Sequence, residues 1–398
     1  MATVPALTDR TPAQRWAEVK DEEALWGDLR PELLAAVRTI LEATMEDELT
    51  ALILAGRYER TRERLDHRNG IYRRLLVTEL GATELDVPRR RLVPYHPSFL
   101  ARAARRTSLV DGLLREAFLR GLSTRETARL AERLTGVPLS ASSISRLGRA
   151  LDARVAAFHR RPIAFEARYL LCDGLWVSVR DRSGRATKRV ILAVYGIDAA
   201  GRRELLDYRQ ATAESAAAWG ILLRSLVERG LDAEGVVLVV ADGAGGIAAA
   251  VAEAFPGAEL QRCWTHRIRN ILEALPLAER RACLRGLRSI YRARTRRAAV
   301  GAYWRWARAW RERHPRLVRG LERDLDSLLA VFSVPEPLRA SLRTTNLLER
   351  AFRELRRRLR PIGALADRRS ADRILYGGVL RLNELLAARP LVAFTQES

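Results

Sequence analysis

A run of six apolar residues at positions 236–241, four of them valine, constrains the fold of this chain most strongly. A β-branched run without polar alternation is typical of a strand that is buried on both faces of a sheet. Strand patterns precede this run at 169–172, 176–179, 189–197 and 203–208. Helix patterns lie on either side of it at 213–229 and 246–255. This order of strands and helices predicts an α/β fold for the region.

The remainder of the chain has mainly helical spacing of apolar residues. With 398 residues the chain is too long for one hydrophobic core, which predicts two or three domains. A small basic β element is predicted within residues 69–97. Helices are predicted over residues 1–65, 108–160, 265–335 and 370–388, and a long basic helix is expected between Thr344 and Pro361.

The charge of the chain indicates a polyanionic partner. Lys and Arg number 70 against 48 Asp and Glu, which gives a net charge of +22, and the only lysines are Lys20 and Lys188. Arginine binds phosphate in a bidentate manner, which favours nucleic acid as the partner. A basic ribosomal or membrane-surface protein is the alternative.

Cysteine content and hydropathy point to a cytoplasmic protein without a membrane partner. The chain has only three cysteines, and this small, odd number argues against a disulfide framework. The N-terminus shows no apolar signal core, and the longest apolar runs are far shorter than the roughly 20 residues that span a bilayer.

Residues 123–151 have the pattern of two short helices joined by a turn. Ser123 and Glu126 are spaced as a capping box, Gly136 and Pro138 interrupt the pattern, and a serine-rich segment opens the second helix. This arrangement resembles a DNA-binding helix-turn-helix. An ordinary helical hairpin is the alternative.

Three carboxylates occupy positions that suit metal-dependent phosphodiester chemistry. Asp173 and Asp242 follow predicted strands, and Glu349 lies in the first turn of the basic helix. Converging carboxylates can hold two hard cations about 3.5–4 Å apart, which activate the attacking oxygen and stabilise the leaving oxygen. The alternatives are Asp-Gly turns at both aspartates and a capping box between Asn346 and Glu349.

The basic helix has two parallel stripes of side chains. One is apolar and the other combines an acid with arginines, so the helix can pack on a sheet and present charged groups along one edge. Between Arg343 and Arg373 there are ten arginines against four acids, which suits phosphate contact. A solvated charged face is the alternative. The apolar stripe consists of Leu348, Phe352, Leu355 and Leu359. The charged stripe consists of Glu349, Arg353, Arg356 and Arg360.

An aromatic stripe at Tyr303, Trp306 and Trp310 is interleaved with arginines. Such a stripe can stack on exposed bases, or it can form the core of a helical domain.

Several motifs in a fixed order resemble the Mutator-type transposases of bacterial insertion sequences. The resemblance runs from Arg68-Asn69-Gly70 to about residue 385 and includes Val87-Pro88-Arg89. Its most specific stretches are Phe255-Pro256-Gly257-Ala258, Gln261-Arg262-Cys263-Trp264-Thr265-His266 with Arg269-Asn270 and Pro276, and Arg343-Thr344-Thr345-Asn346 with Glu349-Arg350, Arg353-Glu354, Arg356-Arg357 and Gly363.

The resemblance implies an α/β ribonuclease-H-like (retroviral-integrase-like) catalytic core interrupted by an all-helical insertion, with Asp173, Asp242 and Glu349 as a DDE triad. The expected domains are an N-terminal helical region with a β element, a helix-turn-helix-like DNA-binding region, the first part of the core, the insertion and the second part of the core. Their limits are 1–107, 108–164, 165–264, 265–337 and 338–398.

The implied activity is hydrolysis at the ends of an element followed by strand transfer into target DNA. Mg²⁺ is the expected cofactor, for which Mn²⁺ can substitute. The expected partners are DNA (terminal inverted repeats and target) and a second copy of the chain in a homodimer or larger assembly, in the bacterial cytoplasm in association with the nucleoid. A non-catalytic DNA-binding regulator and a nuclease or resolvase that cuts without joining are the alternatives.

Further site residues are predicted from the charged edge of the basic helix and from the family motifs. The predicted DNA contacts are Arg350, Arg353, Arg356, Arg357, Arg360, His266 and Arg269. Cys263 and His266 form a structural motif of the family. One such pair without a second pair at ligand spacing argues against zinc.

Overall fold

The chain folds as two units in a computed structural model, which describes residues 22–100, 105–120, 122–243, 246–388 and 391, apart from the side chains of residues 22–28 and 361. The first unit contains the described residues up to Phe118 together with residues 122–150. The second contains Leu119, Arg120 and the described residues from Leu151 onward.

The first unit combines helices with one β-hairpin. Strands β1 and β2 pair antiparallel, and helix α1 packs against β2 over a core that includes Met45, Leu76 and Leu85. A hairpin therefore forms where the sequence predicts a basic β element. The elements are α1 (Glu22–Ile53), β1 (Arg68–Thr78), β2 (Gly81–Arg90), α2 (Ser108–Leu119, which runs to the unit boundary), α3 (Thr124–Thr135) and α4 (Ala141–Arg149).

The helix predicted over residues 1–65 is wrong beyond Ile53, and its first 21 residues lie outside the described part of the chain. Leu54 and Tyr58 adopt left-handed backbone conformations with φ of 55° and 65°. Such conformations cannot continue a right-handed helix. The segment that follows is polar and has no apolar face that would hold a helix against the core.

The predicted capping box at the start of α3 is confirmed. Ser123 Oγ accepts a hydrogen bond from the Glu126 amide, and the Ser123 amide donates to the Glu126 carboxylate. Gly136 ends α3 with φ of 72°, and Ser140 caps α4. The two helices pack against each other across this turn. Their role in binding DNA stays a prediction.

The second unit is built on a mixed sheet with strand order β5-β4-β3-β6-β7. Strands β3, β4 and β5 are antiparallel, β6 and β7 continue parallel to β3, and β8 pairs with the far end of β3. This mixed α/β arrangement is compatible with the predicted ribonuclease-H-like fold. Its strands are β3 (Tyr169–Arg180), β4 (Ala186–Ile197), β5 (Arg203–Ala211), β6 (Leu238–Ala241), β7 (Glu259–Arg262) and β8 (Ala364–Leu365).

Helices cover both faces of this sheet. Residues Trp219 and Leu223 of α6 (Ala216–Glu228) and Ile247 of α7 (Ile247–Ala254) pack with Cys172 and Val239 in one buried cluster. Helices α14 (Asn346–Leu359) and α15 (Arg368–Ala387) pack against β3 and β5 from the other face. Helix α5 (Asp152–Arg160) packs on α15. The four residues of β6 are all buried, as the apolar run predicts.

A helical segment separates β7 from α14. It has its own core, in which Trp264, Leu287 and Tyr303 are buried. Trp306 and Trp310 are buried in the same core, which confirms the interpretation of the aromatic stripe as the core of a helical domain and excludes the alternative of a base-stacking surface. The segment contains α8 (Trp264–Glu273), α9 (Leu277–Tyr291), α10 (Arg296–Trp310), α11 (Pro315–Arg323), α12 (Leu325–Leu328), a 3₁₀ turn at Ala330–Ser333 and α13 (Glu336–Leu342).

Within the described ranges, no helix combines the length and the apolar composition that crossing a bilayer requires.

Candidate active site

Asp173 lies on β3, and Asp242 directly follows the neighbouring strand β6. The parallel register of β3 and β6 pairs Cys172 with Ala241, so the two aspartates are the next residues along each strand. Neighbouring strands are about 4.8 Å apart. The sheet therefore brings the two carboxylates together at the point where β6 ends.

The two aspartates differ in their local structure. Asp242 follows β6 as predicted, and Gly243 turns the chain with φ of 79°. Asp173 lies inside β3 and not at its end, so the predicted strand end and the Asp-Gly turn are both wrong at this position. The reason is that β4 pairs with β3 over the whole length of the strand, through Gly174 and beyond.

Helix α14 brings Glu349 to the same region by packing against β3. Leu348, Phe352 and Leu355 are buried on the packed face, which confirms most of the predicted apolar stripe, whereas Leu359 is half-buried. The alternative capping box does not form, because α14 begins after Thr345 and has no side-chain cap. Glu349 Oε1 is buried and has no hydrogen-bond partner.

The three carboxylates interact with one another. The pKa of Asp173 is raised to about 7, mainly by burial and in smaller part by the charges of Asp242 and Glu349, while the Gly174 amide and His266 act in the opposite direction. Gathering these acids in one partly buried place is electrostatically unfavourable without a cation.

Cys263 connects the strand that leads to Asp242 with the helix that carries Glu349. Its amide donates to the Ala241 carbonyl at 2.7 Å. Its buried sulfur accepts from the amide and the hydroxyl of Thr345, at 3.4 and 3.5 Å. Thr345 is the residue before α14, so this contact fixes the start of the Glu349 helix next to the end of β6.

His266 supplies a positive charge beside Glu349. The neighbouring Cys263 sulfur raises the pKa of His266 to about 9, so the imidazole is protonated at neutral pH. His266 Nε2 lies 3.7 Å from Glu349 Oε1, and His266 Nδ1 is buried without a hydrogen bond of good geometry.

The side chains of the predicted DNA-contacting arginines are exposed: Arg269, Arg350, Arg353, Arg356, Arg357 and Arg360. Arg357 donates to Glu354, one turn back on the same helix.

Other arginines of the basic stretch bind partners within the protein. Arg343 donates to the carbonyls of Tyr291 and Ala293 in the helical segment. Arg373 forms a bidentate pair with Asp152, and only 8% of its side chain is exposed. The excess of arginine over acid between residues 343 and 373 therefore overstates the charge that is available to DNA.

The chemistry of the three carboxylates suits a divalent cation, although they do not form a complete metal-binding site. In the described part of the chain, no three Asp, Glu, His or Cys side chains are already gathered as a metal-binding group. Asp173, Asp242 and Glu349 offer the carboxylate oxygens that hard cations prefer. Glu349 Oε1 is buried without a hydrogen bond, and the pKa of Asp173 is raised; a bound cation would relieve both features.

Glu214 is an acid near this site that sequence reasoning missed. It lies immediately before Ser215, the residue that caps α6. Burial and the charge of Asp242 raise the pKa of Glu214. The sequence signal was weak, because an acid beside a helix N-terminus is common on purely structural grounds.

The mixed sheet, with two aspartates on adjacent strands and a glutamate on a packed helix, is compatible with a ribonuclease-H-like enzyme that processes nucleic acid. The chain belongs to the Mutator family of transposases: the family model described as "Transposase, Mutator family" matches residues 10–384. This membership confirms the resemblance predicted from the motifs and identifies the chain as a DNA-processing enzyme.

Individual relatives are insertion-sequence transposases. The chain is 35% identical over 352 residues to the transposase for insertion sequence element ISRM5 of Rhizobium meliloti, which covers 88% of each chain. It is 34% identical to the transposase for IS1081 of Mycobacterium tuberculosis, over 88% of this chain and 84% of the relative. The transposase for IS256 in transposon Tn4001 of Staphylococcus aureus is 29% identical, over 87% of this chain and 88% of the relative.

Proposed function

We propose that this transposase is a DDE enzyme of an insertion sequence, in which Asp173, Asp242 and Glu349 form the catalytic triad. The convergence of these three side chains from β3, β6 and α14 carries the proposal. The enzyme binds the terminal inverted repeats, hydrolyses a phosphodiester to free a 3′-hydroxyl, and joins that hydroxyl to target DNA. A split ribonuclease-H-like core with the helical segment as an insertion is the fold that we assign to it.

The triad residues would hold Mg²⁺, or Mn²⁺ in its place. When bound, such cations lower the pKa of the attacking water or hydroxyl and stabilise charge on the leaving oxygen. His266 lies beside the Glu349 carboxylate, and its imidazolium neutralises part of the negative charge of the three acids. Neither step needs a covalent enzyme intermediate, so the protein contributes mainly position and charge.

The exposed arginines of α14 would hold the DNA. Arg353 and Arg356 lie one and two helical turns after Glu349, so they continue its edge of the helix away from the triad. A guanidinium there can grip a phosphate oxygen near the scissile bond and orient it for in-line attack. Helices α3 and α4 would bind the element ends, and paired ends would require a homodimer or a larger assembly.

The decisive test is a cleavage and joining assay on the native substrate. The full chain is incubated with duplex DNA from its own genomic flanks, Mg²⁺ and a target plasmid. We expect nicks at the element ends and joined products in the plasmid. Cleavage without joining would instead identify a nuclease or resolvase, and end binding without cleavage would identify a regulator.

Arg356→Ala should weaken binding of element-end DNA by about 1–3 kcal/mol, because one phosphate contact is lost. The slope of log affinity against log salt should flatten by about one contact. Fluorescence anisotropy across a salt series measures both quantities. Arg381→Ala on α15 is the control, because Arg381 is half-exposed and pairs with Glu384. Equal salt slopes for the two variants would remove Arg356 from the DNA-binding edge.

Cys263→Ala should lower the cleavage rate by about tenfold while leaving DNA binding intact, because loss of one buried interaction of about 1–1.5 kcal/mol loosens the start of the Glu349 helix. Cys263→Ser keeps an acceptor for Thr345 and should recover part of the rate. Cleavage is measured on end DNA at saturating Mg²⁺. A Cys263→Ala enzyme with unchanged cleavage would show that the Thr345 contact does not position Glu349.

A further inference from the structure

Glu214 lies beside the proposed triad and has no part in the mechanism above. Its Oε1 accepts a hydrogen bond from Trp176 Nε1 at 3.2 Å. A Cβ atom at Gly174 would lie 2.6 Å from the same oxygen, which is closer than real contacts allow. The carboxylate therefore rests directly on the backbone of the residue that follows Asp173, and glycine at 174 leaves the space for it.

The start of α6, two residues after Glu214, also contacts Gly246, which follows Asp242 in the chain. Gly246 lies just before α7, and a Cβ atom there would lie 2.7 Å from the Cβ of Ala216, the first residue of α6. The Asp242 charge raises the pKa of Glu214, second to the effect of burial, and His266 lowers it. Glu214 is thus coupled to two members of the proposed site.

Glu214 approaches the site from the face of the sheet opposite to Glu349. Side chains alternate along a strand, so Gly174 and Trp176 belong to the face that α6 covers, whereas Asp173 belongs to the face that α14 covers. Asp242 directly follows β6, and its charge raises the pKa of both Asp173 and Glu214. Glu214 and Glu349 therefore approach the position after β6 from opposite faces of the sheet.

We propose that Glu214 is a fourth carboxylate of the active site, which acts with Asp242 to hold the divalent cations. This inference rests on the proposed function of the triad. The competing explanation is that Glu214 only anchors Trp176 and the start of α6. The two explanations differ in whether the charge or the hydrogen bond of Glu214 matters.

The test measures Mn²⁺ binding to the full-length metal-free protein without DNA, by electron paramagnetic resonance. Glu214→Gln removes the charge and keeps an acceptor for Trp176. We expect it to weaken Mn²⁺ binding by about tenfold and to raise the Mg²⁺ concentration for half-maximal cleavage by a similar factor. Glu228→Gln, an exposed acid at the other end of α6, is the matched control and should bind Mn²⁺ like the wild type.

Two further variants make the outcome decisive. Trp176→Phe removes the hydrogen bond and keeps the Glu214 carboxylate, so Mn²⁺ binding should be unchanged. Weakened Mn²⁺ binding by Trp176→Phe would overturn the proposal. This variant therefore tests the proposal even if Glu214→Gln does not fold. Wild-type Mn²⁺ affinity in Glu214→Gln would overturn it directly. Asp173→Asn is measured in parallel, because wild-type Mn²⁺ binding by that variant would contradict the proposed triad itself and not only the role of Glu214.

Discussion

Asp173→Asn is expected to lower the rate of DNA cleavage by about a thousandfold or more, because several kcal/mol of charge stabilisation by the cations depends on this carboxylate. The affinity for element-end DNA should remain largely unchanged, since Asp173 lies within the sheet and the proposed DNA contacts lie on α14. Single-turnover cleavage and end-DNA binding are measured on the same preparation.

The control for this variant is Asp326→Asn. The Asp326 side chain is 93% exposed and pairs with Arg296 in the helical segment, so the substitution removes a carboxylate without touching the site. It should cleave like the wild type. If Asp173→Asn also cleaved at a near-wild-type rate, Asp173 would have no place in the triad.

The same variant gives a second readout in the pH dependence of stability. Burial raises the pKa of Asp173 from the usual 3.8 to about 7. Between these values the folded metal-free protein holds a proton that the unfolded chain has released, so this residue's contribution to stability falls as pH rises. The Asn variant lacks this component, and its melting temperature without metal should exceed that of the wild type above pH 7. A melting temperature below the wild type throughout would contradict the buried, cation-dependent environment of Asp173.

Phe352→Ala should lower the free energy of unfolding by about 3–5 kcal/mol, because it leaves a cavity where a fully buried ring packs. Phe352 lies one helical turn after Glu349 on the buried face of α14. We expect cleavage to fall as well, even at temperatures where the variant is folded, because the helix loses its fixed position against β3. Urea denaturation and cleavage at low temperature measure the two effects separately.

Phe352→Leu is the matched control, because it keeps most of the apolar volume. It should cost less than about 1.5 kcal/mol and retain most of the cleavage activity. A Phe352→Ala enzyme with normal cleavage at low temperature would mean that packing of α14 contributes stability alone and does not orient Glu349.

Local patterns in the sequence were sufficient to predict several parts of this structure. The apolar run at 236–241 predicted the buried strand β6 and the position of Asp242 at its end. The capping box at Ser123 and the apolar stripe of α14 were likewise predicted, the stripe apart from the half-buried Leu359. Each depends on side chains a few residues apart, whose spacing matches the period of one strand or one helical turn.

Other features depend on residues far apart in the chain. Asp173 lies inside a strand because β4 pairs along the whole of β3, which no pattern within 169–180 indicates. The Cys263–His266 motif was recognisable in the sequence. The hydrogen bond from Thr345 to the Cys263 sulfur was not, because the two residues are 82 positions apart. Glu214 was overlooked because it lies near Asp242 only after α6 has packed on the sheet.

The arginines show the same division between sequence and tertiary structure. Composition showed that the chain is strongly basic, and helical spacing showed that α14 has an arginine-rich edge. Only the tertiary structure decided that Arg356 is exposed whereas Arg343 and Arg373 bind partners within the protein. The physical reason is that periodicity specifies which face of an element is buried, whereas the partner of a long charged side chain is set by whichever carbonyl or carboxylate the packing brings within reach.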